Sequence, residues 1–92
     1  MADVLEIKDE KHIIALAKAL SSKTRYEIVK LLMNKEMDVS SIGKELKQTE
    51  ANTSAQIKYL DKVGVLETRY EPGVHGVRKV CKTKVKKVSI LF

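Results

Sequence analysis

Apolar positions in the first two thirds of the chain recur with a helical period. Ile13, Leu16, Ala17 and Leu20 fall at i, i+3, i+4 and i+7, which predicts an amphipathic helix over about 9–20. Ser21-Ser22 interrupts it. Ser22 suits the N-cap of a second helix, about 23–34, because its hydroxyl can accept a free backbone N–H. Tyr26, Ile28, Val29, Leu31, Leu32 and Met33 give that helix a wide apolar surface, and Asn34 can end it. Val39 then stands alone before Ser40-Ser41. A short helix over about 41–47 turns Ile42 and Leu46 inward and holds Gly43 inside it. Glycine costs about 1 kcal/mol against alanine at such a position, so another helix is expected to approach closely there. Lys47-Gln48-Thr49 reads as a polar turn, with Thr49 as the next N-cap. The fourth helix, about 50–63, aligns Thr53, Ile57, Leu60 and Gly64 on one stripe, and Gly64 stops it.

Beyond Gly64 the period changes. Val65, Leu66, Thr68 and Tyr70 read as a strand, Glu71 to Gly76 as a turn, and Val77 to Lys84 as a second strand. Val85 to Phe92 is too apolar for a frayed tail. It is expected to dock on the first helix or across a twofold axis, the second being favoured. The order is helix, helix, short helix, tight turn, helix, hairpin. That predicts a mainly α fold with a β-hairpin wing, a winged helix-turn-helix, forming a homodimer. One domain spans 1–92, with residues 1–20 (an N-terminal helix) and 85–92 as candidate dimer contacts.

Composition narrows the class. At 92 residues, 43% hydrophobic and 33% charged, the chain has room for one globular domain. No apolar run approaches a membrane span. Cys81 is the only cysteine, which excludes an intramolecular disulfide and a multi-cysteine zinc site; a cytoplasmic setting is expected. High Lys and Glu content with two Asn and two Gln fits a thermophilic, archaeal source. Charge is more telling. Residues 1–48 carry nine basic and eight acidic residues, whereas 49–92 carry nine and four, and no acid follows Glu71. Such a concentrated excess is the footprint of a polyanion-binding surface.

The second helix of a helix-turn-helix pair enters the major groove with its N-terminal residues at base edges. The base-contacting candidates are therefore Ala51, Asn52, Ser54, Ala55 and Gln56. The amides suit adenine, and Ala55 suits a thymine methyl. Thr49, Lys58, Arg69, His75, Arg78 and Lys79 are the candidates for the DNA backbone or the wing contact. The fourth helix is itself neutral, so the hairpin is expected to hold most phosphates.

The sequence is similar to the ArsR-type winged-helix family over about residues 13–82. ALSSKTRYEIVKLL (19–32) resembles the family's Leu-x-x-x-x-Arg leading into Ile-Leu-x-x-Leu. DVSSIGKEL (38–46) resembles the first helix of its pair, and TEANTSAQIKYLDKVGVLETR (49–69) resembles the segment ending His-Leu-x-x-Leu-x-x-Ala-Gly-Leu-Val. The resemblance implies DNA binding and dimerisation. It does not carry metal sensing, because Ser40 to Leu46 lacks the family's Cys-x-Cys pattern.

Some residues keep two readings. Tyr59 is a DNA contact or packs on the hairpin; Arg25 reaches a phosphate or pairs with an acid such as Glu27. Cys81 is read as a small apolar strand residue, with an intersubunit disulfide as the lesser alternative. His12 and His75 are too isolated for a metal site, so neither metal nor other cofactor is expected. No nucleophile-base-acid set appears, so an enzyme is disfavoured. The rival classes are a protein-interaction module of a larger assembly and a sequence-independent nucleic-acid-binding protein.

Overall fold

Every helix begins where a side-chain oxygen accepts a free backbone amide. In the computed structural model, which describes residues 3–92, Asp9 accepts from His12 and opens α1 (Glu10–Leu20). Ser22 accepts from Arg25 and opens α2 (Lys23–Leu31). Asp38 accepts from Ser41 and opens α3 (Val39–Leu46), and Thr49 accepts from Asn52 and opens α4 (Glu50–Lys62). Ahead of α1 lies β1 (Val4–Ile7), and between α2 and α3 lies β2 (Met37–Asp38). The chain then runs through β3 (Leu66–Gly73), β4 (Gly76–Thr83) and β5 (Lys87–Ile90).

Several sequence expectations need correction. α2 stops at Leu31, not Asn34, where the Leu32 and Met33 amides tighten onto carbonyls three or four residues back. α3 starts at Val39, two residues early, because Asp38 caps it. The strands of the hairpin extend through Glu71, Pro72 and Gly73, leaving only Val74-His75 as the turn. α1 turns His12, Ile13, Ala15, Leu16 and Ala19 inward, so Leu20 and Ala17 are exposed while Leu16 and Ile13 serve the core. The N-terminal twenty residues are not all helix, since β1 precedes it; Met1 and Ala2 lie outside the described residues.

The C-terminal segment finds its partner inside the chain. β5 pairs in parallel with β1, Val4 to Ile7 facing Lys87 to Ile90. Leu91 adds a bond to the Ile7 carbonyl. Ile7 is buried, and Leu5 and Val88 pack beside it on the core. The remaining strands form an antiparallel sheet in the order β2-β4-β3. Leu66 and Cys81 close the core at the hairpin base, joining Leu16, Ile28, Leu32, Ile42, Ile57 and Leu60 from the helices. The hairpin tip stands clear of the core, with Tyr70, Val74 and Val77 exposed. No helix among the described residues is long and apolar enough to cross a membrane.

Candidate nucleic-acid interface

The turn between α3 and α4 is fixed by backbone bonds and one close contact. Gln48 N–H bonds the Gly43 carbonyl and Lys47 N–H the Lys44 carbonyl, with Lys47 in the left-handed region at φ 57°. A Cβ on Gly43 would lie 3.1 Å from the Gln48 carbonyl oxygen and from Thr53 Oγ1. Gly43 therefore lets α4 begin directly against α3, as the sequence led one to expect. At the far end, Gly64 holds φ 87° while its amide and that of Val65 cap Asp61 and Leu60. α4 is thus closed at both ends.

This register turns Thr53, Ile57 and Leu60 inward. Ala51, Asn52, Ser54 and Ala55 are exposed on the other side, with Gln56 half-buried. Four of the five base-contact candidates are thus exposed on α4's first half, Ala51 and Ser54 towards the wing and Ala55 towards α1, with Gln56 half-buried beside them. Their amides are linked along the helix. Arg25 Nη1 donates to Gln56 Oε1 at 2.7 Å, Gln56 Nε2 to Asn52 Oδ1 at 3.0 Å, and Asn52 Nδ2 to Gln48 Oε1 at 2.8 Å. Gln48 had been read only as a turn residue. The i, i+4, i+8 spacing of Gln48, Asn52 and Gln56 was the signal that tied it to the helix face.

The wing lies beside this face. A cleft of about 530 Å³ runs between them, lined by Asp38, Ser40, Glu50, Ala51, Ser54, Tyr70 and Arg78, among others. Thr49 caps α4 at one edge, and Lys79 approaches the Tyr70 ring at 5.9 Å. Lys58 stands farther along α4, and His75 sits at the wing tip. Ser40 Oγ bonds Glu50, keeping an acid at the N-terminus of α4.

The wing arginines are not free cations. Arg69 makes paired bonds of 2.8 Å to both Glu36 oxygens and also meets Glu71 at 3.1 Å. Arg78 bonds Glu71 at 2.6 Å and approaches Asp38 at 3.4 Å. Charge counting along the chain had shown an acid-free stretch, but folding brings Glu36 and Asp38 onto it. The arginine bonds hold the Glu36 and Glu71 carboxyls below their ordinary range. Asp38 is lowered too, first by hydrogen bonds from Ser41 and then by Arg78. Both arginine pKa values are raised, chiefly by the bonds to Glu36 and Glu71. Lys58 and Lys79, by contrast, have no ion-pair partner among the described residues.

Three residues with open readings, and His12, are placed by their contacts. Arg25 does not pair with Glu27: half-buried, it donates to the Lys18 and Ala19 carbonyls and to Gln56. Tyr59 packs under Arg25, 4.2 Å from ring centroid to guanidinium carbon, and lines a groove towards α1 rather than the hairpin. His12 Nε2 lies 3.3 Å from the Val63 carbonyl, a bond between α1 and the end of α4. Cys81 is buried, and burial pushes its thiol up to about 11, so the disulfide alternative lacks an accessible thiolate. No group of three or more potential metal ligands occurs among the described residues.

Comparison with known proteins places this geometry among relatives. The model of a family described as bacterial regulatory protein, arsR family, matches residues 22–68, which run from the α2 cap into the first wing strand. No curated protein matches the chain. Among solved structures, reduced HlyU from Vibrio cholerae is 20% identical with a TM-score of 0.68, over 79% of this chain and 73% of that one. A homodimeric winged helix-turn-helix DNA-binding domain from Mycobacterium bovis is 24% identical with a TM-score of 0.70, over 80% of this chain and 65% of that one. NolR from Sinorhizobium fredii is 15% identical with a TM-score of 0.67, over 79% and 69%. At these identities the structures establish the fold: a winged helix-turn-helix.

Proposed function

The chain belongs to the arsR family of bacterial regulatory proteins and is a DNA-binding transcriptional regulator; from that premise we propose that it reads a specific duplex sequence as a homodimer. α4 enters the major groove, and the wing lies on the backbone or in the minor groove. The observation that carries this reading is the solvent face of α4. Ala51, Asn52, Ser54 and Ala55 are exposed on it with Gln56 half-buried beside them, held in register by Gly43 and by the buried stripe beneath. Thr49, Lys58, Lys79 and His75, with Arg69 and Arg78, are the backbone contacts. Phosphate oxygens replace the carboxylates of Glu36, Glu71 and Asp38 around the two arginines when DNA binds.

The dimer is supported by the Mycobacterium bovis domain, which is described as homodimeric, and by apolar surface on two neighbouring parts of this chain. Ile14 on α1 is half exposed, and Val4, Ile90, Leu91 and Phe92 are exposed around the β1–β5 pair. A closed twofold dimer sets its two α4 helices in successive major grooves. The setting is the cytoplasm, the role is non-catalytic, and no metal takes part in this reading.

Salt dependence tests it. If Arg69, Arg78 and Lys79 each neutralise one phosphate in both subunits, about six charge contacts form, and affinity for duplex DNA should fall roughly 10³-fold between 50 and 200 mM salt. Affinity that stays flat would favour a protein-interaction module. Equal binding of random and selected duplex would favour a sequence-independent coat.

A further inference from the structure

The amide chain along α4 has a direction, and a residue of α2 sets it. We propose that Arg25 is a positioning residue for base reading. It fixes the orientation of the Gln56, Asn52 and Gln48 amides, so that Gln48 presents two free donors to the groove. This rests on α4 being the base-reading helix.

A guanidinium donates and never accepts. Arg25 Nε bonds the Ala19 carbonyl at 2.8 Å and Nη2 the Lys18 carbonyl at 3.0 Å, both at the C-terminal end of α1. Carbonyls there carry the negative end of the helix dipole, and the Lys18 carbonyl also accepts from the Ser21 amide and hydroxyl. The Tyr59 ring lies against the guanidinium face. Held in this way, Arg25 aims Nη1 at Gln56, 2.7 Å from Oε1. A flipped Gln56 would set its NH₂ group against another donor. Gln56 Nε2 must therefore face Asn52, whose oxygen accepts, and Asn52 Nδ2 must face the Gln48 oxygen. Without Arg25 the chain of amides can run in either direction, and each flip exchanges a donor for an acceptor.

The consequence falls on Gln48. Its oxygen is occupied, and its Nε2 makes no hydrogen bond among the described residues. Both hydrogens are available to acceptor edges in the major groove, such as guanine N7 and O6 or thymine O4. Asn52 and Gln56 each keep one hydrogen and one lone pair. Freezing these rotamers in the free protein also removes an entropic cost of binding.

The test combines side-chain amide NMR of the free protein with selection of bound sequences. Wild-type Gln56 should show two distinct amide protons, the one donated to Asn52 being protected from exchange. In Arg25→Lys and Arg25→Met that proton should shift to the exchange of an exposed glutamine. The ratio of affinities for selected over random duplex should fall roughly tenfold in both variants, the size of one lost base contact. Arg25→Met combined with Gln56→Ala should lose no more than Gln56→Ala alone. Absence of any protected Gln56 amide proton in the wild type overturns the proposal, whatever the variants do. Wild-type base preference in both Arg25 variants, with Gln56→Ala relaxed, overturns positioning while leaving the α4 reading intact. Unchanged preference in both Gln56→Ala and Asn52→Ala overturns the α4 reading and this proposal with it.

Discussion

Glu71 is the hinge of the wing's electrostatics, because it serves both Arg69 and Arg78. Phosphates must compete with it for the two arginines. Glu71→Gln should therefore tighten duplex binding a fewfold with the salt slope little changed, because both arginines already reach phosphates in the wild-type complex. Binding measured across a salt series gives both quantities; weaker binding would mean that the ion pairs hold the wing in its DNA-bound shape. The same carboxylates set a pH limit. Folding lowers the pKa values of Glu36, Asp38 and Glu71, so the folded state binds fewer protons than the unfolded one as they titrate. Their stabilisation is fully present above about pH 4.5, near the ordinary carboxylate value, and is lost as pH falls through the lowered folded values. Thermal midpoints should accordingly drop below that pH, and less so in Glu71→Gln. Identical acid profiles for the two proteins would show that these pairs carry no linkage. Arginine pairing was illegible along the chain because Arg69 and Glu36 are 33 residues apart. The Asn52–Gln56 step was legible, since a helix alone places i and i+4 together, but Gln48 precedes the Thr49 cap and was read only as a turn residue.

At the scale of elements, helix stripes and caps translated directly. Thr53, Ile57 and Leu60 are buried and Ser22 and Thr49 are caps because both features depend on local geometry. Gly43 belongs with them. Gly43→Ala would gain about 1 kcal/mol of helix propensity. Its methyl, however, meets a backbone oxygen and the buried Thr53 hydroxyl, which itself bonds the Thr49 carbonyl. Neither neighbour can move away cheaply, so the substitution should destabilise the protein by about 1 kcal/mol net; denaturant unfolding would measure it, and a gain would mean the turn relaxes. β1 and β5 were missed as a pair. Each is four residues long, and their parallel register joins the two ends of the chain, which no local pattern encodes. Removing residues 85–92 should therefore expose Ile7 and Leu5 and unfold β1, with the loss of several kcal/mol. Full protection of the β1 amides from exchange in the truncated protein would contradict this pairing.

Over the whole molecule, the net charge of +6 is divided by folding into paired and unpaired parts. Arg69 and Arg78 are paired along the wing strands, whereas Lys58 and Lys79, near the α4 face, have no ion-pair partner among the described residues. That division fits a protein in which backbone contacts position the molecule and a short uncharged face reads the bases. The central claim is that α4 does the reading. Its most direct test is selection from random duplex DNA by the wild type and by Asn52→Ala, followed by affinities for the winning site and for a scrambled one. The wild type should select a twofold-related pair of half-sites about one helical turn apart. Asn52→Ala should lose preference at one position in each half-site, at a cost of roughly 1–3 kcal/mol on the selected duplex, and bind the scrambled duplex as the wild type does. Equal losses on both duplexes, or the same sequence selected by both proteins, would contradict it.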